Sequence, residues 1–351
     1  MPKIFFHKHL LSILLLVLGL FMSHDSWSQA YRISDNPEVK KKPLVVKTVA
    51  NSQDTAATPV AEEPKKVPEI KNLKIISEID DGKGNFVKST ETFTDNNANI
   101  STIVAHDIDN DGDLDLFVTN ENDQNENLYR NDGAGVFTKL TTGPLLNDKG
   151  KTMSSSWGDY DNDGDLDVFL ANDQGNDGLF RNDGHFNFTK ITSDTVSNCG
   201  GNSFSSAWSD IDNDGDIDLY VTNSFGTTTL WPNFLFLNNG NGSFTRVGNT
   251  APATDLDWSY GCAFGDYDND GFEDLAVATC RYNSVDRPDL LYHNDGNSNN
   301  WITIKLVGTT TNKSAIGTKI RVKAIINGNP VWQMRELSAQ TSYCGQNDMR
   351  P

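Results

Sequence analysis

The sequence predicts an all-β fold assembled from repeated units of four short strands. Three observations carry that prediction. A nine-residue acidic stretch recurs four times, beginning at Asp107, Asp159, Asp210 and Asp266, at spacings of 52, 51 and 56 residues. An apolar, strand-forming run follows each copy: "LFVTN", "VFLAN", "LYVTN" and "LAVAT". A second run then ends in a turn: "NLYRNDG", "GLFRNDG", "FLFLNNG" and "LLYHNDG". Units of about 50 residues with four strands have the size of a propeller blade, so the expected architecture is a β-propeller.

Taken from the N-terminus, the first element is a targeting segment. "MPKIFFHKH" is basic, and Leu10–Met22 is an apolar stretch too short to span a bilayer comfortably. Ser28 and Ala30 supply the small residues of a cleavage site, so residues 1–30 are expected to be a signal peptide. The mature chain is then exported, with no transmembrane segment, into a compartment where calcium is abundant and disulfides are permitted. Residues 31–72 are rich in Pro, Lys, Ala, Thr and Glu without an apolar period, which predicts a disordered linker. The propeller repeats are expected over 73–297. Leu73–Thr90 has the pattern of the hairpin half of a unit with no acidic stretch before it.

Within each full unit a run of small residues comes first: "STIVAH", "SSSWG", "SSAWS" and "GCAFG". The Asn-Asp-Gly and Asn-Asn-Gly turns suit hairpins, because Asn and Gly tolerate positive φ. A short strand, "VFTKL", "FTKIT" or "FTRV", closes the first three units. In the fourth, "WITIKLVG" stands in that place, with Ile302, Ile304 and Leu306 on one face, and is expected to pair with the strand near Leu290–His293. Residues 298–351 are expected to form a partial all-β domain leaning on the fourth unit.

The acidic stretches carry the chemistry. The formal net charge is −19, yet 20 of the 48 acidic residues lie in these four stretches, and without them the chain is close to neutral. Clustered Lys and Arg for phosphate neutralisation are missing, which argues against nucleic acid. The stretches align as "DIDNDGDLD", "DYDNDGDLD", "DIDNDGDID" and "DYDNDGFED". Asp fills positions 1, 3, 5 and 9 throughout: Asp107, Asp109, Asp111 and Asp115; Asp159, Asp161, Asp163 and Asp167; Asp210, Asp212, Asp214 and Asp218; Asp266, Asp268, Asp270 and Asp274. Oxygen ligands at alternating positions around a Gly turn are what a hard cation such as calcium takes. Position 7 is Asp113, Asp165, Asp216 and Phe272; a Phe cannot ligate through its side chain, so this position is expected to offer its backbone carbonyl. Position 12 is Val118, Leu170, Val221 and Val277, inside apolar runs, where an EF-hand would need Glu. About four calcium sites, each set between two strands, are expected.

With these residues in hand, the units resemble the FG-GAP/VCBS repeats of β-propeller proteins. Trp157–Asn172 with Leu179–Ile191 is close to that family's consensus. Asn299–Asp348, with "KSAIGTKIRV" and "YCGQND", resembles the start of an ASPIC/UnbV domain, the module of cartilage acidic protein. That domain continues well past the "QND" stretch in the family, so the sequence reads as a truncated version of it. The resemblance implies an extracellular calcium-binding propeller often tied to adhesion or recognition, and implies no single ligand or reaction; an extracellular protein or glycan is the partner expected.

The remaining candidates are weaker. His106, His185 and His293 fall at unrelated repeat positions and read as ordinary surface or turn residues. Trp157, Trp208 and Phe264 each precede position 1 by two residues, with Ala105 in the first unit, and read as packing between blades rather than as a carbohydrate platform. Cys262 and Cys280 flank the fourth stretch, and a bridge between them is one option, although a simple hairpin sets Cys262 opposite Val277. No Ser-His-Asp order, paired Glu or phosphate-binding Gly loop stands out, so a non-enzymatic binding module is favoured. The alternative is an exported propeller enzyme acting on polysaccharide, as a lyase or hydrolase.

Overall fold

The computed structural model describes residues 78–80, 86–88, 99–133, 136–224, 230–280, 287–308, 314–326 and 328–348. The expected signal peptide and linker, 1–72, and most of the Leu73–Thr90 hairpin lie outside the described residues. What is described of that hairpin is its backbone pairing: β1 (Glu78–Asp80) runs antiparallel to β2 (Phe86–Lys88), with Asp80 opposite Phe86.

Three four-stranded antiparallel sheets and one three-stranded sheet follow in chain order. The first holds β3 (Ile100–His106), β4 (Asp115–Asn120), β5 (Asn127–Asn131) and β6 (Phe137–Leu140). The second holds β7 (Thr152–Gly158), β8 (Asp167–Asn172), β9 (Gly178–Asn182) and β10 (Phe188–Ile191). The third holds β11 (Ser203–Ser209), β12 (Asp218–Asn223), β13 (Phe234–Asn238) and β14 (Phe244–Val247). The fourth holds β15 (Ser259–Gly265), β16 (Asp274–Thr279) and β17 (Leu290–Tyr292). A short α-helix, α1 (Ala251–Thr254), precedes the fourth sheet, and 3-10 turns lie at Leu145–Asn147 and Val196–Asn198. No described helix is long and apolar enough to cross a membrane.

The three largest cores lie between consecutive sheets. Val104, Phe117 and Leu128 of the first sheet pack with Val168, Leu170 and Phe180 of the second. Phe169 and Leu179 of the second pack with Leu219, Val221 and Phe236 of the third. Tyr220 and Leu235 of the third meet Phe264, Leu275 and Val277 of the fourth. Neighbouring residues of β8 thus serve opposite cores, which is why that whole strand is buried although its side chains alternate. Trp157 sits in the first core, edge-on to Phe117 and Phe188 at centroid distances of 5.3 and 6.1 Å. The aromatics before position 1 are therefore packing residues.

The innermost strands approach closely because their side chains are small. Ser154, Ser155, Ser203, Ser205 and Ser206 are buried. Ser156 Oγ lies 2.7 Å from Ser206 Oγ, and the Ser154 hydroxyl donates to the Phe204 carbonyl at 2.8 Å. A larger side chain on either strand would push the sheets apart.

The tail departs from expectation. Trp301–Val307 forms no strand, and β17 is the last strand of the fourth sheet among the described residues. Ile304 and Leu306 are buried as their alternation predicts, whereas Ile302 is half exposed. Their cover is Ile320, Val322 and Leu337, which flank or belong to a hairpin of β18 (Lys319–Ile326) and β19 (Asn329–Glu336). Beyond β19 the chain crosses the inner strands of three sheets. The Ser342 hydroxyl donates to Ser154 Oγ and accepts from the Ser206 amide; Asn347 donates to the Trp208 carbonyl and accepts from the Phe264 amide. The tail therefore leans on three sheets rather than on the fourth alone. Cys262 does face Val277, and all four cysteines are free thiols, so the Cys262–Cys280 bridge is not formed.

Candidate metal centres

Each acidic loop joins the first and second strands of its sheet, at the same end every time. Two backbone features make the turn. Asn at position 4 takes φ of 63°, 59°, 55° and 63° at Asn110, Asn162, Asn213 and Asn269. Gly at position 6 takes φ of 96°, 97°, 101° and 92° at Gly112, Gly164, Gly215 and Gly271. Asn is the residue after Gly that best tolerates this left-handed region.

The Asp at position 9 is the anchor of the loop. It is buried in all four copies. One carboxylate oxygen accepts the position-2 amide, at 3.0 Å for Asp115, 3.0 Å for Asp167, 2.9 Å for Asp218 and 3.1 Å for Asp274. The other accepts the amide of the turn Asn in the same sheet, at 2.8, 2.7, 2.8 and 2.8 Å for Asn131, Asn182, Asn238 and Asn294. That Asn does not take positive φ; the Gly two residues later does. Its side chain instead accepts the Gly amide at 3.1 Å in every copy, so it was chosen for hydrogen bonding.

The loops gather carboxylates. Oxygens of Asp107, Asp109 and Asp111, of Asp159, Asp161 and Asp167, of Asp210, Asp212 and Asp218, and of Asp266, Asp268 and Asp270 each lie within 4.8 Å of one another. Asp163 and Asp214 at position 5 hold the position-7 amide, at 2.9 and 3.0 Å. The position-7 side chains turn away: Asp113, Asp165, Asp216 and Phe272 lie against Gly133, Gly184, Gly240 and Gly296 of the turn. Their backbone is left as the part that can face an ion.

Electrostatics set these loops apart. Burial, with repulsion from neighbouring carboxylates adding to it and amide hydrogen bonds opposing, raises Asp159 to about 7 and Asp115 to about 7. Asp210 rises to about 6 and Asp218 to about 8, again chiefly through burial. The Oδ1 atoms of Asp107, Asp109, Asp159 and Asp161 are buried without a hydrogen-bond partner. Buried carboxyl oxygens without partners are costly, and a cation is the partner that satisfies several at once. The residues fit a hard divalent ion on this ground.

Two histidines proved less ordinary than their positions in the sequence implied. His106 is buried, with Nδ1 3.1 Å from Glu336 Oε1 of β19. His293 carries its Nδ1 3.0 Å from Asp274 Oδ1 and 3.7 Å from Asp268 Oδ2, and the hydrogen bond to Asp274 raises its pKa. Arg130 and Arg181 hold the equivalent place in the first two sheets, which hid this one. Cations from the tail also reach the loops: Lys319 Nζ is 3.4 Å from Asp107 Oδ2, Arg321 donates to the Gly164 carbonyl at 3.0 Å, and Arg335 is 3.7 Å from Asp210 Oδ2.

A model of the FG-GAP-like repeat family matches residues 107–170, 159–221 and 210–277. Each match runs from position 1 of one loop to position 12 of the next. The chain therefore carries three FG-GAP-like repeats in a nearly all-β array. A search of curated proteins returns no match.

Proposed function

We propose that this chain is an exported calcium-binding repeat module that acts in extracellular recognition or adhesion, without enzymatic activity of its own. The observation that carries the reading is the set of buried carboxylate oxygens of Asp107, Asp109, Asp159 and Asp161 that have no hydrogen-bond partner, on loops whose turns are made by Asn and Gly. Calcium accepts 6–8 oxygens in flexible geometry, and carboxylates with a backbone carbonyl at position 7 supply that set; magnesium demands a stricter octahedron and keeps its waters. The ions would neutralise the loop ends of the sheets and stiffen the array, leaving its faces to bind. FG-GAP repeats are compatible with a recognition module and name no ligand, so the partner is proposed only as an extracellular protein or glycan. The N-terminal segment supports export, and the resemblance of Asn299–Asp348 to the ASPIC/UnbV module supports the same compartment.

Calorimetric titration of the chain with calcium tests the reading. About four ions per chain are expected, and a stoichiometry of zero or one would overturn it. A glycan array and a panel of polysaccharide substrates, run with calcium present, separate binding from catalysis.

A further inference from the structure

The acidic loops are tied to one another by side chains that no single turn requires. The position-4 amide of each of the first three loops reaches the next loop. Asn110 donates to Asp165 Oδ1 at 2.6 Å, and Asn162 donates to Asp216 Oδ1 at 2.6 Å. In the fourth loop Phe272 offers no carboxylate, and Asn213 donates to the Gly271 carbonyl at 2.9 Å instead. A second bond returns at each junction. The turn Asn of the later sheet donates to the position-2 carbonyl of the earlier loop: Asn182 to Ile108 at 3.1 Å, Asn238 to Tyr160 at 2.7 Å and Asn294 to Ile211 at 2.8 Å.

From these junctions we propose that the loops take up their cations as a coupled row, not as four independent sites. The inference rests on the calcium reading given above. Position 4 lies between the ligands at positions 3 and 5, so an ion that draws those carboxylates together fixes the peptide that carries the Asn. The fixed amide then holds position 7 of the next loop at the first two junctions and the position-6 carbonyl, one residue before it, at the third. Position 7 is the residue whose N–H holds the position-5 carboxylate of that loop, at 2.9 Å in the second loop and 3.0 Å in the third. Filling one site therefore orders part of the ligand set of the next, and the next ion meets a site whose ordering has already been met. The coupling is reciprocal, since each ion favours the same arrangement of the junction. Lys319 donates to Asn110 Oδ1 at 2.5 Å, which orients the amide at the start of the row. It links the tail hairpin to the same chain of contacts.

The test compares the wild-type chain with the triple variant Asn110→Gly, Asn162→Gly, Asn213→Gly. Glycine keeps the left-handed backbone of position 4 and removes only the amide. Calcium itself is the probe, followed by calorimetry and by equilibrium dialysis for stoichiometry. The wild type should bind with a Hill coefficient above 1. The variant should bind the same number of ions with a Hill coefficient near 1 and a midpoint raised about five-fold or more, the lower end of ordinary coupling. If the triple variant does not fold, Asn162→Gly alone must show a smaller loss of the same kind. Superimposable isotherms, or a wild-type Hill coefficient of 1 with four ions bound, overturn the coupling and leave the calcium reading standing. A wild-type chain that binds no calcium overturns both.

Discussion

Asp177 precedes β9 and is buried with its carboxyl engaged on both oxygens. Oδ1 accepts the Asn172 amide at 2.8 Å, and Oδ2 accepts the Ser203 hydroxyl of the next sheet at 2.8 Å. Burial is the leading cause that raises its pKa from 3.8 to about 7, against those hydrogen bonds. The third sheet has an amide in the same place. Asn233 accepts the Asn223 amide at 2.8 Å and donates to Ser259 Oγ at 3.0 Å. Asp177→Asn should therefore copy a geometry the fold already contains. The Cys199 thiol, which donates to Asp177, keeps the Val196 carbonyl as its alternative acceptor at 3.2 Å.

The direction with pH follows from the raised value. A carboxyl whose folded pKa lies above its unfolded one contributes its full stability below about pH 4, and that contribution is lost as pH rises through about 7. Each unit is worth about 1.4 kcal/mol, so ionisation of Asp177 costs up to roughly 4 kcal/mol at pH 8. Asn at this place carries no charge at any pH. Denaturant unfolding of both chains at saturating calcium, from pH 5 to pH 8, should show the variant gaining roughly 2–3 kcal/mol on the wild type across that window. Taking the difference removes the acid sensitivity that the acidic loops give to both chains. A difference that stays flat with pH, or a variant that is less stable at pH 8, would refute the reasoning.

Three further outcomes are expected. Chelation should lower the melting temperature, since each ion bound only by the folded state adds about 2.7 kcal/mol at a hundred times its Kd; an unchanged melt would count against metal-supported folding. Asn347→Ala removes both contacts to Trp208 and Phe264, leaving a part-buried strand amide unpaired, and should cost about 1–3 kcal/mol in denaturant unfolding. Hydrogen exchange should then quicken in β11 and β15; unchanged protection there would show that the tail is not a cover for those strands. Trp157→Ala empties the space between the first two sheets and should cost about 3–5 kcal/mol, read by the same denaturant unfolding; a cost below about 1 kcal/mol would show that the aromatic faces elsewhere.

The repeats were legible because loop geometry forbids drift: Asn at position 4 and Gly at position 6 take left-handed backbone, and Asp at position 9 holds the position-2 amide, so every copy keeps its spacing. The strands were legible for a related reason, since a sheet covered on both faces needs an unbroken apolar run such as "VFLA" in β8. Partners across junctions were not legible. Asn110 and Asp165 stand 55 residues apart, and an Asn in a turn already has a sufficient local explanation in its left-handed backbone. Glu126, Asp177 and Asn233 were missed for the opposite reason. Their residue types differ, although each pairs with a hydroxyl of the following sheet.

The tail shows where alternation stops informing. A pattern of apolar residues on one face states that the face is covered and leaves open what covers it. Ile304 and Leu306 are buried as their spacing requires, yet the cover is the β18–β19 hairpin region and not the edge of β17. The hairpin's own charges explain the preference. Lys319, Arg321 and Arg335 each meet one of the first three acidic loops, where carboxylates are concentrated. At the fourth loop the contact is packing instead of charge: Trp301 lies against Gly271, at a position where any Cβ would strike its ring. The four loops thus serve twice, as the ends of the sheets that gather oxygen ligands and as the surface to which the C-terminal segment is fastened. Loss of their charge balance should therefore loosen the tail as well as the blades.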